Sequence, residues 1–162
     1  MSDDIIIEKL EKIFYECDKH LQRVQSSAKE LEPIMPLSAK SYANLDDEQI
    51  KALDQFLFRF SKLQDAMGQK LFKTILLYLD EEIEGKPFVD LLHLMEKLHL
   101  LESASVWREL REDRNELAHN YEDEPDEMSL IINKLFEKRI VLQNIYLNIK
   151  DFYTRKKNVS KE

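Results

Sequence analysis

The 162-residue chain is long enough for one well-buried core and short for two, and 43% hydrophobic with 35% charged residues describes a folded domain, not a disordered one. A formal net charge of -8 argues against a general nucleic-acid coat, which needs many Lys and Arg contacts to phosphates. The single cysteine, Cys17, excludes an internal disulfide framework and any multi-cysteine metal site.

Two glycines and four prolines leave long stretches without a breaker, which favours long helices. In residues 4–31, Ile6, Leu10, Ile13, Phe14, Cys17, Leu21 and Val24 recur at helical spacing. Pro33 and Pro36 end that helix, and a polar connector follows through Ser38, Ser41 and Asn44. Asp46 or Asp47 caps a second helix, whose stripe runs from Ile50 through Phe56, Phe60, Leu63, Met67, Leu71 and Ile75 to Tyr78 and Leu79. It is expected to continue unbroken to Gly85, a suitable stop with Pro87 just beyond.

Phe88 to Leu98 forms a short third helix, with Val89, Leu92, Met95 and Leu98 as its apolar face. Ser103 or Ser105 starts a fourth, which ends before Pro125, and Asp126 opens a long fifth with Ile131, Leu135, Leu142, Ile145 and Ile149. No segment alternates like a strand. Each helix must bury its stripe against another, so the expected fold is all-α, a single antiparallel bundle of four to five helices. Residues 1–153 make that domain, and 154–162, with Arg155, Lys156, Lys157 and Lys161, form a basic flexible tail. Met1-Ser2-Asp3-Asp4 opens acidic and the longest apolar run, around Ile75-Leu76-Leu77, is too short for a bilayer. A soluble, cytoplasmic protein with no membrane partner is expected.

The fourth helix carries the chemistry. Arg114-Asn115-Glu116-Leu117-Ala118-His119-Asn120-Tyr121 places a permanent cation, an imidazole that titrates near neutrality and a phenol within two turns. At about 100° per residue, Val106, Leu110, Leu117 and Tyr121 share a core arc of about 60°, with Arg114 at its edge. Arg108, Arg111, Asn115 and His119 gather on the opposite side, so Arg114 and His119 stand about 140° apart. They converge on one ligand only if the helix unwinds near His119 or if two copies face each other across a dimer axis. Trp107 is a packing residue or an anchor at a subunit interface. His20, His93 and His99 read as structural. There is no H-E-x-x-H, no glycine-rich phosphate loop and no serine elbow, and no cofactor is expected.

Arg114, four residues, His119, one residue and Tyr121 resemble the R-x4-H-x-Y signature of HepT-like proteins in the HEPN superfamily. The polar Asn115 after the arginine fits that pattern, as does a long second helix reading Arg59-Phe60-Ser61-Lys62-Leu63-Gln64-Asp65 through Leu71-Phe72-Lys73. The resemblance covers most of the domain, least so before about Asp46. It implies a helical homodimer, a metal-independent endoribonuclease that is the toxin of a toxin–antitoxin pair. The antitoxin would be a minimal nucleotidyltransferase that adenylylates the motif tyrosine, here Tyr121. Arg114, Asn115 and His119 would be catalytic, with Arg108 and Arg111 as possible contacts to RNA phosphates. The side chains suit this chemistry: His119 can exchange a proton near neutral pH, and Arg114 can stabilise phosphoryl charge. A second class remains, a non-catalytic helical subunit that supplies part of the nucleotide or substrate site of a nucleotidyltransferase.

Overall fold

Seven apolar side chains at helical spacing place Asp3–Leu31 in one helix, α1, and all seven are buried. The computed structural model describes residues 3–119 and 123–160 of the chain. Among these residues every regular element is helical and there is no strand. A 3-10 turn, Glu32–Ile34, closes α1 where Pro33 stands. The connector expected to be irregular holds a short helix, α2, Ala39–Ala43, closed by a reciprocal capping box between Ser38 and Ser41. A second capping box, Asp46 with Gln49, starts α3, Asp47–Ala66.

The second long rod differs from expectation in two ways. First, it is not uniformly α-helical: Met67–Leu71 is a π turn, in which the Phe72 N–H reaches back to the Met67 carbonyl. One extra residue in a turn shifts the phase of the apolar stripe, so Phe72, Ile75 and Leu76 carry on the buried face in α4, Phe72–Tyr78. Second, the rod does not reach Gly85. Asp80 adopts φ 62°, and the N–H groups of Asp80 and Glu81 bond back to the carbonyls of Leu77 and Leu76. That left-handed stop satisfies the final carbonyls before the chain arrives at Gly85, which sits at φ 76° in the following loop.

α5, Phe88–Lys97, ends in the same way at His99, φ 63°, with Leu100 N–H on the Met95 carbonyl. α6, Ala104–Ala118, is capped by Ser103, whose hydroxyl accepts from the Val106 N–H. The regular helix ends at Ala118, well short of Pro125. α7, Pro125–Ser160, is the longest element, and Arg155, Lys156 and Lys157, expected in a flexible tail, belong to its last turns, while Lys161 lies outside the described residues. There Lys157 Nζ lies 2.8 Å from Glu11 Oε1. With α3 and α4 counted as one rod, the described residues form six helices, one more than the upper expectation because of α2.

Cross-links between the long helices show how they run. Gln25 meets Gln143, Asp18 meets Tyr146 and Lys150, and Glu11 meets Tyr153 and Lys157, so α7 is antiparallel to α1. His20 meets Arg59 and Glu16 meets Lys70, so the α3–α4 rod is also antiparallel to α1. Leu10, Phe56, Phe60, Leu63, Leu135, Tyr146 and Ile149 fill the space between them with no exposure. Side chains of that kind contribute roughly 1.5–3 kcal/mol each on burial. No described helix is long and apolar enough to cross a membrane.

Candidate functional site

α6 lies against both α7 and the α3–α4 rod, and its orientation differs from the ideal-wheel expectation. The fully buried positions are Ala104, Trp107, Leu110 and Asp113, whereas Val106 and Leu117 are only half-buried. Tyr121, expected on the core arc, lies outside the described residues. The cause is Trp107. Its ring packs edge-on against Phe72, centroids 4.5 Å apart, and passes over Gly68 in the π turn. A Cβ on Gly68 would stand 3.1 Å from the ring, so a glycine there lets the indole in. Seating the indole turns the buried arc of α6 toward the side that holds Arg114.

Arg114 is therefore central to the buried face, not at its edge. Its Nε and Nη2 donate to the two carboxylate oxygens of Asp65 on α3, at 3.3 and 3.1 Å. About a third of each side chain is exposed. This fork fixes the direction of the guanidinium and leaves three of its five N–H donors for another acceptor. On the adjoining side of α6, Asp113 is 5% exposed and binds Lys138 Nζ at 2.6 Å, with Lys134 at 3.7 Å. Burial of Lys138 works against its charge, but the hydrogen bond and field of Asp113 outweigh it and the amine is held above its usual range.

The same rotation opens a groove of about 520 Å³ between α6, the α3–π–α4 rod and the start of α5. Arg114, Arg111 and Asn115 line it from α6; Gln64, Asp65, Gly68, Gln69 and Lys73 line it from the rod. Lys86, Phe88, Leu91 and Trp107 complete the wall. Phe88 stacks on Phe72 at 6.3 Å, and the Arg111 guanidinium stands 5.7 Å over the Phe88 ring. Lys73, Lys86 and Arg111 have no carboxylate partner among the described residues. Four cations thus face one carboxylate in a protein whose net charge is -8. A groove of this kind attracts an anion and offers it an aromatic surface.

One lining residue carried no signal in the sequence. Gln64 is 3% exposed, yet its Oε1 is buried without a hydrogen-bond partner among the described residues. A heptad-like position on a long amphipathic helix reads as core, and only the tertiary arrangement reveals that the amide oxygen is enclosed without a donor among the described residues.

The expected site residues divide. Arg114, Asn115 and Arg111 come together in the groove, although Asn115 and Arg111 were expected on the side away from Arg114. His119 and Arg108 are exposed and do not line it. His119 is the C-cap of α6, with extended dihedrals of -73° and 134° and its N–H on the Glu116 carbonyl. Helical periodicity stops there, so the 140° separation of an ideal wheel no longer describes its position relative to Arg114. Asn120 and Tyr121 lie beyond, outside the described residues.

The other titratable groups have structural roles. His20 Nε2 faces Glu16 at 3.3 Å, while its Nδ1 accepts from Arg59 at 3.1 Å. Burial lowers its proton affinity, against the pull of Glu16. Burial pushes the Cys17 thiol up to about 12, which leaves it inert as a nucleophile. Among the described residues no group of three or more His, Cys, Asp or Glu side chains is placed to hold a metal ion. Comparison with protein-family models, with curated proteins and with solved structures found no match to the chain.

Proposed function

We propose that the chain is a metal-independent endoribonuclease of the HEPN type, the toxin of a HepT-like pair whose antitoxin is a minimal nucleotidyltransferase. The observation that carries the reading is the groove. An arginine of the R-x4-H-x-Y motif is fixed by Asp65 in its wall, beside Lys73, Lys86 and Arg111, which have no carboxylate partner among the described residues. In this reading RNA lies along the groove with its phosphates toward the cations and a base against the half-buried Phe88 ring. The free N–H groups of Arg114 meet the phosphoryl oxygens at the scissile position, and Asn115 orients the phosphate.

The cleavage step needs only RNA and a proton carrier. The 2′-oxygen attacks phosphorus, the P–O5′ bond breaks, and the products carry a 2′,3′-cyclic phosphate and a 5′-hydroxyl. His119 exchanges the proton, from the C-cap of α6 or across the axis of a homodimer that brings two motif segments to one cleft. Adenylylation of Tyr121 by the partner would add a bulky anion two residues past His119 in the motif and so block the toxin.

The test is cleavage of a transcript by purified protein. Removing an acid–base group or a charge-stabilising donor costs about 10²–10⁴-fold, so His119→Ala and Arg114→Ala should each fall by at least about 100-fold while remaining folded. Wild-type rates in folded His119→Ala would remove the assignment. Two observations favour a second reading, that of a non-catalytic subunit of a nucleotidyltransferase complex: His119 does not line the groove and Arg114 is partly neutralised by Asp65. Growth arrest on expression, relieved by His119→Ala, supports the toxin. Harmless expression with a stable nucleotidyltransferase complex supports the subunit.

A further inference from the structure

The groove of about 520 Å³ has room for one nucleotide unit, so a longer RNA must continue over the outside of the molecule. The α3–α4 rod offers it a route. Asp65, Gln69 and Lys73 line the groove, and Phe58 and Lys62 precede them on the same outer ridge, at steps of three and four residues. Beyond that ridge the rod meets α1. His20 Nδ1 accepts from Arg59 at 3.1 Å and Lys70 Nζ lies 2.9 Å from Glu16 Oε1, so residues 16–23 of α1 and 59–70 of the rod border one seam.

The seam is rich in cations. Glu16, Lys19 and Arg23 follow one another at three- and four-residue steps on α1, and Arg59, Lys62 and Lys70 face them from the rod. Of the three carboxylates in these spans, Asp18 turns to Tyr146 and Lys150 of α7 and Asp65 to Arg114 of α6. Only Glu16 stays on the seam, and it is bonded to Lys70. Lys19, Arg23, Arg59 and Lys62 have no carboxylate partner among the described residues. Phe58 is 55% exposed among them, with Lys62 Nζ 5.5 Å and Arg59 Cζ 5.8 Å from its ring centroid. Tyr15, 65% exposed, carries Lys19 Nζ at 4.4 Å in the same way. An open ring flanked by cations suits single-stranded nucleic acid, a base on the aromatic face and phosphates on the charges.

We propose that this seam is a second RNA-binding surface, over which a single strand leaving the groove stacks a base on Phe58 and sets its phosphates against Lys19, Arg23, Arg59 and Lys62. The inference deepens the ribonuclease reading and rests on the groove taking RNA. From Lys73 to Phe58 the rod extends roughly 22 Å, so only a strand of several nucleotides reaches both surfaces.

The experiment measures binding of labelled oligouridylates, a tetramer and a dodecamer, to the full chain by fluorescence anisotropy across a salt series. His119→Ala protein prevents cleavage. The dodecamer should bind more tightly than the tetramer. In the triple variant Lys19→Gln, Arg23→Gln, Lys62→Gln, its affinity should fall by at least about tenfold at 0.1 M salt. The slope of log affinity against log salt should become shallower by about 2, since each phosphate contact contributes about 0.7 for single strands. Phe58→Ala should weaken the dodecamer by about fivefold with the slope unchanged, the low end of what one stacked base contributes. Tetramer binding, which resides in the groove, should survive both changes. A dodecamer no tighter than the tetramer, or unaffected in either variant, overturns the seam and leaves the groove reading standing. An oligoglutamate of twelve residues that displaces the dodecamer as well as unlabelled RNA does would mark a site for an acidic polypeptide and also overturns it. No binding of either oligomer overturns both readings. If the triple variant does not fold, Lys62→Gln alone replaces it, with a slope change of about 0.7.

Discussion

The guanidinium of Arg114 sits in the buried arc of α6, and Asp65 is what makes that position tolerable. A bidentate carboxylate replaces water for two N–H groups of a side chain that lines the groove. Asp113, one residue earlier, is buried against α7 and depends on Lys138 in the same way. Lys138→Met should therefore cost about 2 kcal/mol, less than a fully buried pair because Lys138 is partly exposed and Lys134 remains nearby. Replacing both, as Asp113→Leu with Lys138→Met, should recover most of that loss, since the penalty comes from the stranded carboxylate. Chemical denaturation of the two single variants and the double variant checks this; a double variant as unstable as the sum of the singles would contradict it. Neither ion pair was legible in the sequence. The partners are separated by 49 and 25 positions, and nothing local in a helix marks which distant carboxylate or amine will face it.

At the scale of elements, the starts at Asp46 and Ser103 and the stop of α1 before Pro33 were readable, whereas the stop of the α3–α4 rod was not. Asp46 and Ser103 are side chains that accept from the first-turn N–H groups, and both cap the helices they were expected to start. The stops of α4 and α5 use Asp80 and His99 in left-handed conformation, where glycine is the usual residue. Both types visit that region more readily than most, but neither announces itself as a stop. His99→Gly should relieve the strain and stabilise the fold by about 0.5–1 kcal/mol, a rise of roughly 1–4 °C in melting temperature. The backbone carbonyl of residue 99 still accepts from Asn148, so the tie to α7 survives the change. A lowered melting temperature would show that the imidazole itself holds the turn. The π turn was equally silent: a stripe shifted by one residue still looks apolar at three- and four-residue steps. Its consequence is functional, because it sets Gly68 beneath Trp107 and so decides which way α6 faces.

Across the whole molecule, α1 is held at both flanks by charged groups that titrate differently from the free side chains. The hydrogen bond from Lys157, with that from Tyr153, holds Glu11 below its ordinary value of 4.5; the hydrogen bond from Lys70 does the same for Glu16 against its burial. Both carboxylates stabilise the fold above pH 4.5, and that contribution is lost as the pH falls through their lowered values. His20, lowered by burial, adds an earlier loss that begins below 6.5. On the alkaline side, burial raises the phenols of Tyr146 and Tyr153 above 10.0, so their contribution is complete below that value and lost as the pH rises through the raised values. Thermal melts across pH should show a plateau from about 6.5 to 9.0, the ordinary value of the Cys17 thiol that burial raises to about 12, with stability falling away on both sides. A His20→Gln variant should retain the steep fall below 4.5 and lose the shallow one above it; an unchanged shallow limb would exclude His20 as its source.

All-helical structure, most helix starts and the spacing of Arg114, Asn115 and His119 are local properties. They follow from hydrophobic period, capping side chains and the scarcity of glycine and proline, each acting over a few residues. The groove is not local. Which arc of α6 is covered, which carboxylate holds Arg114, and the enclosure of the Gln64 Oε1 depend on how helices rotate and slide against each other. That registry is chosen by close packing of large side chains, here an indole seated over one glycine, and such packing becomes defined only when distant segments meet.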